Sequence, residues 1–372
     1  MVEITTGQLV AICGFGLGLI AGWVARWARF CTFGAVEDMI LIGDLRRLKS
    51  WALAIAVAML TVQVMHFTGI ARIDETFYLG TNFHWAGAIF GGLLFGLGMA
   101  FVGTCGFGTL VRIGGGDLKA FVTFLVMGLT AYMTAGGITG YARRFVLESV
   151  DLDLTDIGGQ GLPHLVAALF DIDAQVLWIP IALIFSGLLL AWCFSSQGLR
   201  GNPRDITSGI VIGLVVAGGF AVTGFIGNDP FETISVRSLS YVIPPGRALI
   251  YLLTFVGTTI DFSIALVFGT LAGSFAAAIW NKELRIEAYD DAREMRRHLL
   301  GAFLMGFGGV SAYGCTIGQG ISGMATLSAA APLALGSIFI GATGGLYYLL
   351  TGTIRDALSL SVDKIRERAF SE

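Results

Sequence analysis

The stretch AFVGTCGFGTLVRIGGG, residues 100–116, sets one cysteine among glycines at the end of a long apolar run. Residues 311–323, SAYGCTIGQGISG, do almost the same. An apolar run predicts a helix, but glycines this dense are poor helix interiors because each costs backbone entropy. Each stretch therefore reads as a helix that breaks within hydrocarbon-soluble sequence, with a thiol at the break. Irregular backbone at membrane depth survives only where protein buries it or a wet cavity receives it.

Composition places these breaks in a membrane. Apolar residues make up 55% of the 372, charged residues 13%, and mean hydropathy is +0.78. A soluble surface needs about a quarter of its residues charged, so this chain cannot clothe a water-facing exterior. No Asp, Glu, Lys or Arg occurs in 4–25, 50–71, 76–111, 120–142, 174–199, 206–228, 262–281 or 299–354. Crossing the hydrocarbon core takes roughly 20 apolar residues. The run 299–354 has room for two spans, and 247–280, interrupted by Asp261, reads as one long or broken span. Nine spans are expected, at about 6–25, 50–71, 84–104, 119–142, 174–196, 206–226, 247–280, 297–314 and 331–352. Glu3 stands before the first run with no Lys or Arg, so that run reads as a retained span rather than a cleavable signal.

Arginine and lysine predict the orientation. Alternate connections carry eighteen of the 23 Lys and Arg residues, and the intervening ones carry five. The positive-inside rule puts the eighteen in the cytoplasm, with the N-terminus outside and the C-terminus inside. The Asp-rich 143–173 loop then lies outside. A net charge of −3 identifies no partner, and no basic tract or nucleic-acid module is visible.

The second half repeats the first. FGLGMAFVGTCGFG (95–108) matches MGFGGVSAYGCTIG (305–318) at an offset of 210, so Gly96, Gly98, Cys105 and Gly108 fall on Gly306, Gly308, Cys315 and Gly318. GLGLIAGW (16–23) matches GLVVAGGF (213–220) more weakly. Five spans separate the copies, so the halves enter the membrane from opposite sides, as in inverted-repeat transporters with broken helices at the repeat interface. The expected plan is a first repeat at 1–142, a connector at 143–205, a second repeat at 206–354 and a cytoplasmic tail at 355–372. The competing account is convergent small-residue packing, in which frequent glycines let helices approach closely.

Half-helices folded in from opposite faces would offer free amides and positive dipole ends to an anion. Of five cysteines, Cys13 and Cys193 lie in continuous apolar runs, where a thiol serves as a small hydrophobe. Cys31, Cys105 and Cys315 sit at the breaks. Cys31 opens a short amphipathic segment after the first span, and TGFIGNDPFETI (223–234) is its expected counterpart, without a cysteine. A disulfide between Cys105 and Cys315 stays open and would block a thiol role. No CxxC or close Cys/His pair suggests zinc, and IGGGDLK (113–119) lacks the phosphate-loop pattern. No cofactor is expected. Asp261 is a candidate intramembrane proton carrier. Arg26 and Arg29 read as interfacial anchors, and 282–298 as a solvated helix.

RFCTFG (29–34), GTCGFG (103–108) and YGCTIGQG (313–320) on a nine-span inverted plan resemble the YeeE/YedE family of bacterial inner-membrane transporters. The resemblance implies an all-α polytopic membrane protein with short membrane-inserted helices and an hourglass-like body. It implies thiosulfate uptake along a route lined by Cys31, Cys105 and Cys315, with transfer through S–H···S contacts. The motif neighbours Thr104, Gly106, Gly108, Gly314, Thr316, Gly318 and Gln319 join the candidate pathway. A cytoplasmic sulfur-carrier protein of the TusA type is the implied partner beside the lipid bilayer. Competing readings are a selenium-compound or sulfite transporter, a membrane thiol sulfurtransferase, and an assembly partner whose cysteines only pack.

Overall fold

The computed structural model describes residues 5–195, 197–229, 232 and 234–352. In chain order the helices are α1 (Thr6–Ala28), α2 (Thr32–Glu37), α3 (Arg46–Phe67), α4 (Gly92–Val102), α5 (Gly106–Gly114), α6 (Leu118–Gly136), α7 (Ile138–Val146), α8 (Leu162–Phe170), α9 (Ala174–Phe194), α10 (Gln197–Arg200), α11 (Pro203–Ala221), α12 (Ile243–Leu253), α13 (Phe262–Trp280), α14 (Ala292–Ser311) and α15 (Ala330–Thr351). A two-residue strand pair, β1 (Asn82–Phe83) against β2 (Leu152–Asp153), joins two loops on one face. The protein is an all-α polytopic membrane protein.

Among the described residues, eight helical stretches are long and apolar enough to cross a membrane. The ninth expected span is α14, a 20-residue helix whose first turns carry Arg293, Glu294, Arg296 and Arg297. Those charges shorten its apolar stretch, although it packs against α4 and α6. Two expected spans are broken. Residues 247–280 divide into α12 and α13, and 119–142 divide at Gly137 into α6 and α7. The helix expected at 282–298 begins only at Ala292, because 282–291 runs as a connection in which Glu287 bridges to Asp117. Glu3 and the expected tail at 355–372 lie outside the described residues.

The helices pair as α1 with α13, α3 with α11, α4 with α15 and α6 with α14, and α4 also meets α14. Lipid is as apolar as leucine, so helices in it associate through close packing of small residues. A Cβ on Gly18 or Gly22 would reach 2.4 Å from the Leu266 carbonyl oxygen or 2.1 Å from that of Thr270. Gly269 and Gly273 answer from α13 against Phe15 and Leu19. A Cβ on Gly98 would meet the Gly301 oxygen at 2.5 Å, and one on Gly308 would meet the Gly91 oxygen at 2.6 Å. The glycines of this crossing are thus exchanged in pairs 210 residues apart.

Candidate functional site

Two chain reversals build the centre. α4 ends at Gly103, whose φ of +77° is left-handed and favours glycine, and Cys105 then caps α5. α14 ends through Tyr313, at φ +57°, before Gly314 and Cys315 open a π-helical turn at Gly318–Gly323. In each case the sulfur accepts the amide three residues on. Gly108 N–H donates to Cys105 Sγ at 3.5 Å, and Gly318 N–H donates to Cys315 Sγ at 3.3 Å. Gly106 and Gly108 therefore lie inside a helix, and the break falls earlier than expected. Gly108 stays glycine because a Cβ there would sit 2.2 Å from Thr104 Oγ1.

The reversals meet at two threonines. Thr32, the first residue of α2, donates its hydroxyl to Thr316 Oγ1 at 3.2 Å and lies 4.0 Å from Cys105 Sγ. Thr316 also faces the Cys105 thiol, and Cys31 and Cys315 lie close enough to interact with it electrostatically. Cys105, Cys315, Thr104 and Thr316 are buried. All five cysteines are free thiols, so no disulfide joins Cys105 to Cys315. Cys193 donates to the Lys49 carbonyl at 3.2 Å, away from this centre.

A cavity lies on either side of this neck. At the end where α3 begins, a basin of about 590 Å³ is lined by Cys31, Thr104, Gly108, Arg26, Arg47 and Arg112 among others. Glu283 pairs with Arg26 at 3.4 Å, so part of that charge is balanced. Where α3 ends, a vestibule of about 710 Å³ reaches Gly314 and Tyr313. It carries Arg143, Arg237 and Arg247 opposite Asp74 and Glu75. Arg247 is committed to Asp261 at 2.7 Å and Arg143 to Glu148 at 3.2 Å. Arg237 donates instead to Ser235 Oγ at 2.9 Å and to Ser263 Oγ at 3.5 Å, with no carboxylate ion pair among the described residues. Serine hydroxyls orient the guanidinium without neutralising it.

A loop steadies the vestibule wall. Tyr313 donates its hydroxyl to Glu148 at 3.0 Å and stacks on His84, ring centroids 4.2 Å apart. His84 in turn pairs with Asp151. Burial lifts the Asp151 carboxyl above its ordinary range, although the bond from His84 opposes it.

The expected pathway residues fall together: Cys31, Thr104 and Gly108 on the basin side, Gly314, Cys315 and Gly318 on the vestibule side, with Thr316 between. Gln319 is buried and donates to the Ala312 carbonyl at 3.0 Å, leaving its own carbonyl oxygen unpartnered. Of the segment expected to match the Cys31 stretch, 223–234, the first residues form a π-helical turn at Val222–Ile226 that continues α11, and 230, 231 and 233 lie outside the described residues. Among the described residues the next short α-helix is α12, and the buried Tyr241 just before it faces Cys315 through its amide. Asp261 is no free carboxylate, since it accepts from Ile264 N–H at 2.9 Å as the cap of α13 while holding Arg247. Asp261→Asn should therefore cost about 1 kcal/mol or less of helix capping, as measured by thermal unfolding of the purified protein. Arg237 and Tyr241 escape a reading of the sequence because nothing in ISVRSLSY (234–241) marks a site until α11 and α12 bring it to the neck, whereas Thr32 lies within RFCTFG beside the cysteine that draws the eye.

A family model described as sulphur transport matches residues 27–343. The chain is similar to the "Thiosulfate transporter TsuA" of Escherichia coli (strain K12), 27% identical over 321 residues, covering 83% of this chain and 86% of the relative. It is also similar to the protein of that name from Spirochaeta thermophila, 26% identical over 331 residues, covering 88% and 94%.

Proposed function

The chain belongs to the sulphur transport family, and from that premise we propose that it carries thiosulfate across the bacterial inner membrane past Cys31, Cys105 and Cys315. One observation carries this reading. Two buried thiols, each cradled by a glycine amide, stand at facing helix breaks between two cavities.

Thiosulfate is a dianion with a hard trioxo end and a soft terminal sulfur. Arg237, oriented by hydroxyls and with no carboxylate ion pair among the described residues, suits the hard end in the vestibule. The thiols at the neck are weak donors that suit the soft sulfur, and hydroxyls of Thr32 and Thr316 meet the oxygens as they pass. A series of weak neutral sites releases an ion as readily as it admits one, whereas a tight cationic pocket would hold it. Sulfate lacks the soft atom, so the neck favours thiosulfate.

Direction and plan belong to the same proposal. The basin, rich in arginine, faces the cytoplasm by the positive-inside rule. The paired reversals at Gly103 and Tyr313, 210 residues apart, and the exchanged glycines of the α4–α14 crossing support two inverted repeats. A twofold relation makes residue i meet j while the equivalent of j meets the equivalent of i.

The test is growth and radiolabelled uptake in a strain lacking other sulfate and thiosulfate permeases, on thiosulfate, sulfate or sulfite as sole sulfur source. Rescue on thiosulfate alone is expected, and Arg237→Gln should raise the half-saturation concentration about tenfold, the scale of one charged hydrogen bond. Failure to rescue with normally inserted protein would overturn the reading. A persulfide mass adduct on Cys31 or Cys105 with sulfite released outside would replace it with sulfurtransfer.

A further inference from the structure

Between Arg237 in the vestibule and the Cys315 thiol stands one side chain that the transport reading leaves without a role. Tyr78 is 2% exposed, yet it lines the vestibule and lies close enough to both Cys315 and Arg237 to interact electrostatically with each. Its hydroxyl meets Ser322 of the π-helical turn. A Cβ on Gly318 would lie 3.6 Å from the Tyr78 hydroxyl oxygen, and one on Gly323 3.4 Å from its ring. The phenol thus lies over the turn whose first amide cradles Cys315.

Its mounting differs from that of Thr32 and Cys105, which stand at helix starts. Tyr78 sits in a single 3-10 turn, Phe77–Leu79, on the connection between α3 and α4. That turn is tied by Leu79 N–H to the Thr76 carbonyl at 3.1 Å, and the next residue, Gly80, accepts from Gln160 N–H at 3.2 Å. Few backbone bonds hold this turn, so what resists its opening is the burial of Ile73, Tyr78 and Leu79, which makes an open state a minor population. The ring next to it is Phe77, 4.0 Å away, which is half exposed.

We propose that Tyr78 is the outer gate and a substrate-contacting residue of the pathway: its ring closes Cys315 from the vestibule, and its hydroxyl donates to the oxyanion end as the ion passes from Arg237 to the thiol. This rests on the transport reading for the identity of the anion, while the gating half stands on geometry alone. A phenol is a neutral donor, so it hands the anion on without trapping it, as the thiol does. Swinging out uncovers the Cys315 cradle and swinging back restores the seal, and no covalent step is involved.

The experiment labels the full-length protein in lipid nanodiscs with a bulky, charged methanethiosulfonate and follows each cysteine by peptide mass spectrometry. Cys31, which opens to the basin, is the internal control. In the native protein Cys31 reacts readily and Cys315 slowly, because the open state is a minor population. Tyr78→Ala should speed Cys315 labelling at least about tenfold, the gain from making a minor state permanent, and leave Cys31 unchanged. Tyr78→Phe keeps the ring, so Cys315 stays protected, but it loses the donor and should raise half-saturation for thiosulfate about tenfold. Unchanged Cys315 labelling in a monodisperse Tyr78→Ala protein would overturn the gate. Where that variant fails to fold, faster labelling in Tyr78→Phe overturns it, and continued protection with raised half-saturation supports it. Labelling needs no transport, so failure of thiosulfate rescue and failure of the gate are read separately.

Discussion

Cys105→Ala is expected to reduce thiosulfate uptake about a hundredfold, the scale of a buried site whose polar partners lose their match. The residue is 1% exposed and sits where Thr32, Thr316 and the Gly108 amide converge, so no water replaces the missing sulfur. Cys105→Ser separates chemistry from folding. A serine oxygen can still accept the Gly108 amide and cap α5, because serine is a good N-cap. The protein should therefore insert normally, while a hard hydroxyl offers the soft sulfur no equivalent contact. Radiolabelled uptake, normalised to membrane-inserted protein, checks both variants. Full uptake by Cys105→Ser would sink the soft-donor argument, and full uptake by Cys105→Ala would sink the thiol pathway. Alkylation of the native protein should stop uptake in parallel with modification of Cys315 or Cys105, since the proposed pathway needs both thiols free.

The second large effect concerns assembly. Gly22→Ala should deplete folded protein, while Gly16→Ala in the same helix should change nothing. A Cβ at Gly22 would lie 2.1 Å from the Thr270 oxygen and 2.9 Å from the Ser274 amide, backbone atoms that cannot turn aside. One at Gly16 would meet nothing within 4 Å. Overpacking a rigid contact costs about 1–3 kcal/mol or more, a large fraction of a protein's net stability. Thr270 also accepts or donates at Tyr241 Oη, 3.0 Å away, so a shift of α13 would reach the neck. Detergent-extracted yield and thermal unfolding of the two variants decide it. Equal behaviour of Gly16→Ala and Gly22→Ala would remove the close-packing account of the α1–α13 pair.

The membrane class is legible in the sequence because charge-free length is a direct requirement of hydrocarbon, and the eight apolar helices stem from it. Cys31, Cys105 and Cys315 are legible as candidates because a thiol beside dense glycine is unusual, and the 210-residue offset pairs two of them. Less can be read where charge interrupts apolar sequence. Asp261 resembles a proton carrier because one dimension hides Arg247, fourteen positions back but 2.7 Å away. Glu287 sits in a helix-like charge pattern, yet it bridges to Asp117, a partner 170 residues away. The glycines at 106 and 108 suggest the break, but only backbone geometry shows Gly103 turning left-handed and the Cys105 thiol capping α5.

By itself the sequence determined that this chain lives in a membrane and that its apolar runs break beside cysteines, and it suggested that one half echoes the other. Hydropathy and glycine spacing are local, so they survive reading in one dimension. Only the tertiary structure decided which groups share the neck. Thr32 and Thr316 stand in the cysteine motifs CTFG (31–34) and CTIG (315–318), but Arg237 and Tyr241 on one connection and Tyr78 on another carry no such mark. Glycine-to-carbonyl packing of α1 on α13 and α4 on α14 brings those connections together, and a contact that depends on such distant packing leaves no local trace in sequence.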